Sequence, residues 1–174
     1  MISYKKLKTI SESQEHTSAG TSLNQVSAGL SHAVSNKMIK PNSINVDYGG
    51  GKYDKGKNHV EQNVSGASLH IHDMFNRSKE HNDEVESKAL GKADYVGMHN
   101  VLNVIKEPEE RAKALTHIKN YMKPKSGIAH VTVWEGDKNG NSRISQSDKG
   151  SGSSWQNHLP TSSYAVSYTH LTLP

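Results

Sequence analysis

Apolar residues in this chain come in short bursts between long polar stretches, and the bursts fall mainly between Ile44 and Trp134. Four of them read as buried strands. They are Ile44 to Tyr48 in "NSINVDY", the stretch "ASLHIHD", the stretch "ADYVGM" ending at Met98, and "IAHVTVW" from Ile128 to Trp134. In the second, period-two alternation puts Leu69 and Ile71 on one face and His70 and His72 on the other. The intervening segments carry helical spacing of unequal strength. "EPEERAKALTHIKNYM" is the clearest helix: Pro108 suits the first turn, Glu109 and Glu110 suit its positive end, and Lys119 and Lys123 lie near the other. Its predicted inward stripe is Ala112, Leu115, Ile118 and Met122. "SKEHNDEVESKAL" predicts a polar helix with Val85 and Ala89 four apart. Asp54 to Val64 offers only Val60 and Val64 and is weakened by Gly56. Weak helical spacing at Leu23, Val26, Leu30 and Val34 predicts a leading helix or a polar arm within residues 1–40.

Strand alternating with helix predicts an α/β fold with a mostly parallel sheet and right-handed crossovers over residues 41–135. Beyond Glu135 the pattern dissolves into Gly, Ser and Asn, so 136–164 is expected to be a polar loop or partial lid. The final "VSYTHLTLP" looks like a translated sequencing adapter, so 165–174 is read as a non-native tail. On that reading the chain is cut near Tyr164 and the sheet is incomplete at its C-terminal side.

Composition narrows the classes. At 174 residues with 32% hydrophobic content and a mean hydropathy of −0.77, either the core is small or part of the chain lies outside it. With no cysteine, disulfides, thiolate metal sites and a cysteine nucleophile are excluded. No run approaches the roughly 18 apolar residues of a membrane span, and the N-terminal lysines precede no apolar segment that would make a secretory signal. A soluble, cytoplasmic protein is the expectation. A net charge of +4 leaves nucleic acid open as a partner without pointing to it, because the lysines form no stripe with interleaved aromatics. Among 11 histidines, His70, His72, His81 and His99 invite a metal reading. No carboxylate accompanies them at a ligand spacing, so packing or surface roles are favoured and no metal is expected. G-x-S-x-G is absent, which removes the serine-hydrolase elbow.

The chemistry concentrates in "INVDYGGGKYDKG". Three glycines directly behind a strand let a ligand lie against bare backbone at the carboxyl edge of a parallel sheet. Asp73, 22 residues after Gly51, stands where an acidic side chain can accept ribose hydroxyl hydrogens. A dinucleotide fingerprint fails because Asp54 takes the third glycine's place. A P-loop fails because no Ser or Thr follows the lysine. Asp47-Tyr48-Gly49-Gly50-Gly51 instead resembles the first motif, Asp/Glu-x-Gly-x-Gly, of class I S-adenosylmethionine-dependent methyltransferases. Tyr53 stands where the longer form of that motif often has another glycine. "HIHD" is similar to the family's second motif, "KADYVGMHNVLNVI" to its fourth strand and following loop, and "MKPKSGIAHVTV" to its "LKPGG" turn and fifth strand. The family's usual third strand has no counterpart between Leu90 and Ala93. Together with "DMFNRSKEHN" and "EGD...WQN", these pieces resemble a methyltransferase-like group of phage and bacterial genomes over residues 43–158.

The resemblance implies a Rossmann-like three-layer sandwich that binds S-adenosylmethionine and passes its methyl group in line to an unidentified acceptor. It implies that Asp47 sits near the methionine amino group and that Gly49, Gly50 and Gly51 give the cofactor backbone contact. Asp73 would bind the ribose, with Met74 and Phe75 beside the adenine. Asn100 and Val101 would line the sulfonium, and Asn100 and Asn103 the acceptor side. A DNA amino-methylating motif is absent, since "HNVL" follows the third strand. Two other readings stay open: a nucleoside-binding module without turnover, and an NAD-dependent oxidoreductase. Arg77, Glu80 and His81 form either a functional loop or a helix start capped by Asn76 or Ser78. Glu135, Asp137, Trp155, Gln156 and Asn157 are candidates for an acceptor lid.

Overall fold

The computed structural model describes residues 22–136, 143–148 and 153–167. Four strands form one all-parallel sheet: β1 (Ile44–Tyr48), β2 (Ser68–His72), β3 (Tyr95–His99) and β4 (Ile128–Thr132), in the order β2-β1-β3-β4. Among the described residues four α-helices accompany it: α1 (Ala28–Ser35), α2 (Lys55–Asn63), α3 (Lys79–Ala89) and α4 (Pro108–Tyr121). The described chain is therefore a mixed α/β fold. Register sets Tyr48 opposite His72, and Asp47 opposite both Ile71 and Gly97, so β1 and β2 end level beneath the glycines.

The central strands β1 and β3 are buried on both faces, as parallel strands require, while β2 and above all β4 at the edges are less covered. Val46, Tyr48, Val96 and Met98 pack with Val85 and Ala89 of α3 and with Leu115, Ile118 and Tyr121 of α4. Leu69 and Tyr95 face the other way, against Leu30 and Ala33 of α1 and Val60 of α2.

Four local expectations are revised by packing. α2 forms although its sequence is a poor helix, because Val60 and Gly56 are buried. A Cβ at Gly56 would meet Leu30 Cδ2 at 2.9 Å, so the residue that lowers helix propensity is what lets α2 approach α1. In the N-terminal segment the helix begins only at Ala28, where Ser27 Oγ accepts from Leu30 N at 3.2 Å, which leaves Leu23 outside it. The rest of the arm, residues 1–21, lies outside the described residues. On α4 the buried positions are Ala114, Leu115, Ile118 and Tyr121 rather than Ala112 and Met122. Tyr121 turns the stripe, with its ring 6.4 Å from that of Tyr48, while Met122 falls past the helix end and bridges Ala93.

The fourth revision concerns residues 136–164, expected as a loop. They hold an antiparallel hairpin, β5 (Arg143–Asp148) with β6 (Ser153–His158), followed by a 3-10 turn at Thr161–Ser167. Its strands carry no apolar alternation, which is why the pattern conceals them. Tyr164 is buried in the α4-side core and its hydroxyl donates to Asn157 O at 2.7 Å. Of the segment read as a tail, 165–167 belong to that turn and 168–174 lie outside the described residues.

No strand occupies residues 90–93, so β2 is an edge. Side chains cover its outer groups: His81 Nε2 donates to Ile71 O at 2.8 Å, and Asn82 exchanges bonds of 3.1 and 3.0 Å with Asp73 N and O. Among the described residues no helix is long and apolar enough to cross a membrane.

Candidate functional site

A cavity of about 850 Å³ opens over the carboxyl ends of β1, β2, β3 and β4. Asp47, Gly49, Gly50, Gly51, Asp73, Met74, Phe75, Asn100, Val101 and Asn103 all line it. Residues from three separate strand ends, up to 56 positions apart in the chain, thus meet around one space.

The glycine loop owes its shape to the protein around it. Gly49 and Gly51 have φ of +76° and +77°, which side chains rarely adopt. A Cβ at Gly49 would strike Val101 Cγ2 at 2.4 Å, and one at Gly50 would reach Asp47 Oδ2 at 2.7 Å and Ile71 Cγ2 at 2.9 Å. The space that the missing side chains leave is occupied by neighbouring residues, and the loop backbone is thereby drawn down onto the sheet.

Asp73 holds this loop to the end of β2. Its Oδ2 accepts from Gly51 N at 2.8 Å, while Oδ1 accepts from Phe75 N (3.0 Å), Asn76 N (2.9 Å) and Asn76 Nδ2 (3.1 Å). Three of these four donors share Oδ1 and one reaches Oδ2, so among the described residues one of the two lone pairs on Oδ2 stays open to a ligand hydroxyl. Arg77 adds a second brace: Nε donates to Gly51 O at 2.9 Å and its guanidinium pairs with Asp54 at 2.7 Å. Of the two cap candidates, Asn76 and Ser78, the cap is Ser78, whose Oγ accepts from His81 N at 3.2 Å.

Asp47 differs. It is only 7% exposed and lines the cavity, yet no donor among the described residues reaches its carboxylate. Burial, and next the charge of Asp73, push its pKa up to about 7.

The far side of the cavity is built by the ends of β3 and β4 and by β6. Asn100 turns the chain with φ +59° and its N–H donates to Thr132 O at 2.8 Å. Asn103, in the short 3-10 helix Leu102–Val104, is 3% exposed and its buried Oδ1 has no hydrogen-bond donor among the described residues. Trp134 and Gln156 complete this wall. Of the other lid candidates, Glu135 accepts from Thr161 N at 2.6 Å and Asn157 accepts from Tyr164, while Asp137 and the Trp155 side chain lie outside the description.

The histidines divide between the two faces of the sheet. His72 stacks on Tyr48 (centroids 4.9 Å, 8°), and Tyr48 OH meets His117 Nδ1 at 3.0 Å. On the opposite face His99 Nδ1 meets Thr132 Oγ1 at 2.9 Å, and Tyr95 OH bridges His99 Nε2 (3.2 Å) and His130 Nδ1 (3.0 Å). Burial pushes both His72 and His99 down to about 4, so both rings are neutral at pH 7. Among the described residues no three His, Asp or Glu side chains gather as a metal site.

Sequence reasoning missed His117, Lys113 and Ser22 in the cavity wall and Arg77 as a brace of the glycine loop. His117 and Lys113 sit on a helix whose apolar stripe gave no sign of a second, cavity-facing edge. Ser22 Oγ accepts from Lys52 N at 3.0 Å, a contact across 30 positions that no local pattern encodes. No protein-family model matches the chain, and no curated protein matches it in sequence.

Proposed function

We propose that this chain binds S-adenosylmethionine over a Rossmann-like three-layer sheet and transfers its methyl group to an acceptor. The observation that carries the reading is Asp47, a buried carboxylate that no donor among the described residues reaches, facing a cavity beside a bare backbone loop. A buried anion is costly unless a cation or donor meets it. The amino group of a methionine moiety is such a cation, and Asp47 would hold it. Asp73, with its one open lone pair on Oδ2, would accept from one ribose hydroxyl while continuing to clamp Gly51. Phe75, Met74 and Val101 supply apolar walls for an adenine.

When bound, the sulfonium supplies an activated methyl group that passes in line to an acceptor lone pair, the sulfur keeping the electrons of the broken bond. This chain's residues supply alignment and exclusion of water. The acceptor's proton leaves to solvent at the cavity mouth, since the buried rings of His72 and His99 already have low basicity. An anionic dinucleotide fits less well, because its pyrophosphate would face Asp47 and Asp73 together.

The test is a thermal melt with S-adenosylhomocysteine, with NAD as control. At 100 times the dissociation constant the adenosyl ligand should add about 2.7 kcal/mol, a rise of roughly 5–10 °C for a domain of this size. A shift with NAD alone, or none with either ligand, would overturn the reading. Binding without transfer of a tritiated methyl group to any fraction of a cell extract would reduce it to the binding module.

A further inference from the structure

The two edges of the sheet are finished differently. On β2 the outward backbone groups are met by side chains: Glu61 Oε1 accepts from Leu69 N at 3.5 Å, His81 Nε2 donates to Ile71 O at 2.8 Å, and Asn82 closes Asp73. β4 lies at the other edge. Its Ile128 N donates to Asp94 O at 2.9 Å and its Thr132 O accepts from Asn100 N at 2.8 Å, so the even-numbered positions serve β3. The N–H and C=O groups of Ala129 and Val131 therefore point away from the sheet. Among the described residues no strand or side chain meets them. The strand is also open to solvent at its start, where Ala129 is exposed and Ile128 is 43% exposed. Edges that stay single are blunted by charge, proline, a bulge or a cover. Residues 127–134 hold neither a charged side chain nor a proline.

We infer that β4 pairs antiparallel with β4 of a second copy of this chain, about a twofold axis at His130, to make one continuous sheet across a homodimer. The flanks of the strand choose both the occupant and its direction. Lys125 precedes β4 and Glu135 follows it, and neither has an oppositely charged partner among the described residues; Glu135 is held by the amide and hydroxyl of Thr161. A twofold at His130 brings Lys125 of each copy to Glu135 of the other, whereas a parallel copy would set like charges together. The same axis lets Ala129 and Val131 exchange their free backbone bonds with Val131 and Ala129 of the second copy, and lays its Thr132 over the exposed Ile128. Every contact then occurs twice, as an isologous interface requires. His130, on the axis, brings no charge to it, since burial and next the charge of His32 hold its pKa below the usual histidine value. None of this rests on the methyl-transfer reading.

Sedimentation equilibrium of the full chain in low salt, from micromolar to submillimolar concentration, tests it. A monomer of 19.1 kDa should pass into a dimer of twice that mass. A strand pair of five residues a side is a small interface, so the dimer should be weak and concentration-dependent. Ala129→Pro removes an outward N–H that β3 does not use, and should abolish the dimer while a cooperative melt shows the fold kept. Lys125→Glu alone, or Glu135→Lys alone, should weaken the dimer about tenfold, because both end contacts turn repulsive; the double variant should recover it. Should Ala129→Pro fail to fold, this charge series at two exposed positions decides alone. A monomer at every concentration, a dimer kept by Ala129→Pro, or a double variant no tighter than either single one would overturn the pairing. So would an assembly that grows beyond the dimer, since a twofold contact closes on itself.

Discussion

Asp73 and Asp47 stand on either side of the same glycine loop, yet one carboxylate is braced by hydrogen bonds and, among the described residues, the other has none. Asp73 gathers four donors from Gly51, Phe75 and Asn76, and Asn82 secures its own backbone. Asp47, one strand away, meets only a raised pKa and open cavity. The contrast separates two jobs that a motif comparison assigns jointly to the ligand. The second carboxylate builds the loop, and the first lies beneath it with no donor among the described residues, which is what the methyl-transfer proposal draws on.

The largest effect that would break this contrast is a pH effect. In the folded state Asp47 keeps its proton up to about pH 7, whereas the unfolded chain releases it near 3.8. The folded protein thus binds more protons between those values, so Asp47 lowers stability as pH rises through that window and has no further effect above it. The span corresponds to about 4 kcal/mol at most. Urea titrations from pH 4 to 8 should show that decline, and Asp47→Asn should flatten it and be the more stable protein at pH 8. A variant with the wild-type slope would show that Asp47 is ionised and partnered.

Next in size is Asp73→Ala, expected to cost about 3 kcal/mol because buried N–H donors on the loop and the β2 turn lose a charged acceptor. Asp73→Asn should recover only part of it, since one of its two atoms becomes a donor facing donors. Chemical denaturation would read both, and a loss under 1 kcal/mol for the alanine would deny Asp73 its structural role. Gly50→Ala sharpens the comparison from the other side. Its Cβ would sit 2.7 Å from Asp47 Oδ2, so about 2 kcal/mol of overpacking is expected together with loss of ligand response. The smallest effect lies far from the loop: Tyr164→Phe removes the bond to Asn157 O and should cost about 1 kcal/mol. It asks whether the segment after β6 belongs to the fold, and unchanged stability would say it does not.

The parts of this architecture that announced themselves were those with local signatures. Four apolar bursts became four parallel strands, and the glycines behind "INVDY" became the floor of the cavity. Asp73 was legible by its distance from the glycines, but its clamp on Gly51 was not, because that depends on two strands ending level. The α4 stripe lies a few positions from the expected one because Tyr121, an aromatic with a polar tip, is buried beside Tyr48, whereas Ala112 and Met122 stay half-buried. The hairpin was hidden by polar strands, and Tyr164, a lone aromatic in a Ser-rich stretch, was its one sign. That no described donor reaches Asp47 is invisible in any sequence, since it is defined by what fails to come near.

The most direct test of the account is calorimetric titration of S-adenosylhomocysteine into wild type and Asp47→Asn at pH 6.5, in two buffers of different ionisation enthalpy. The ligand's ammonium should bind ionised Asp47 and expel its proton, so the heats should depend on buffer in the wild type and lose that dependence in the variant. Affinity should fall at least about tenfold in Asp47→Asn, the loss expected for one charge-assisted contact. Equal affinity in both proteins, with no proton released by either, would contradict the assignment of Asp47 as the residue that receives the ligand.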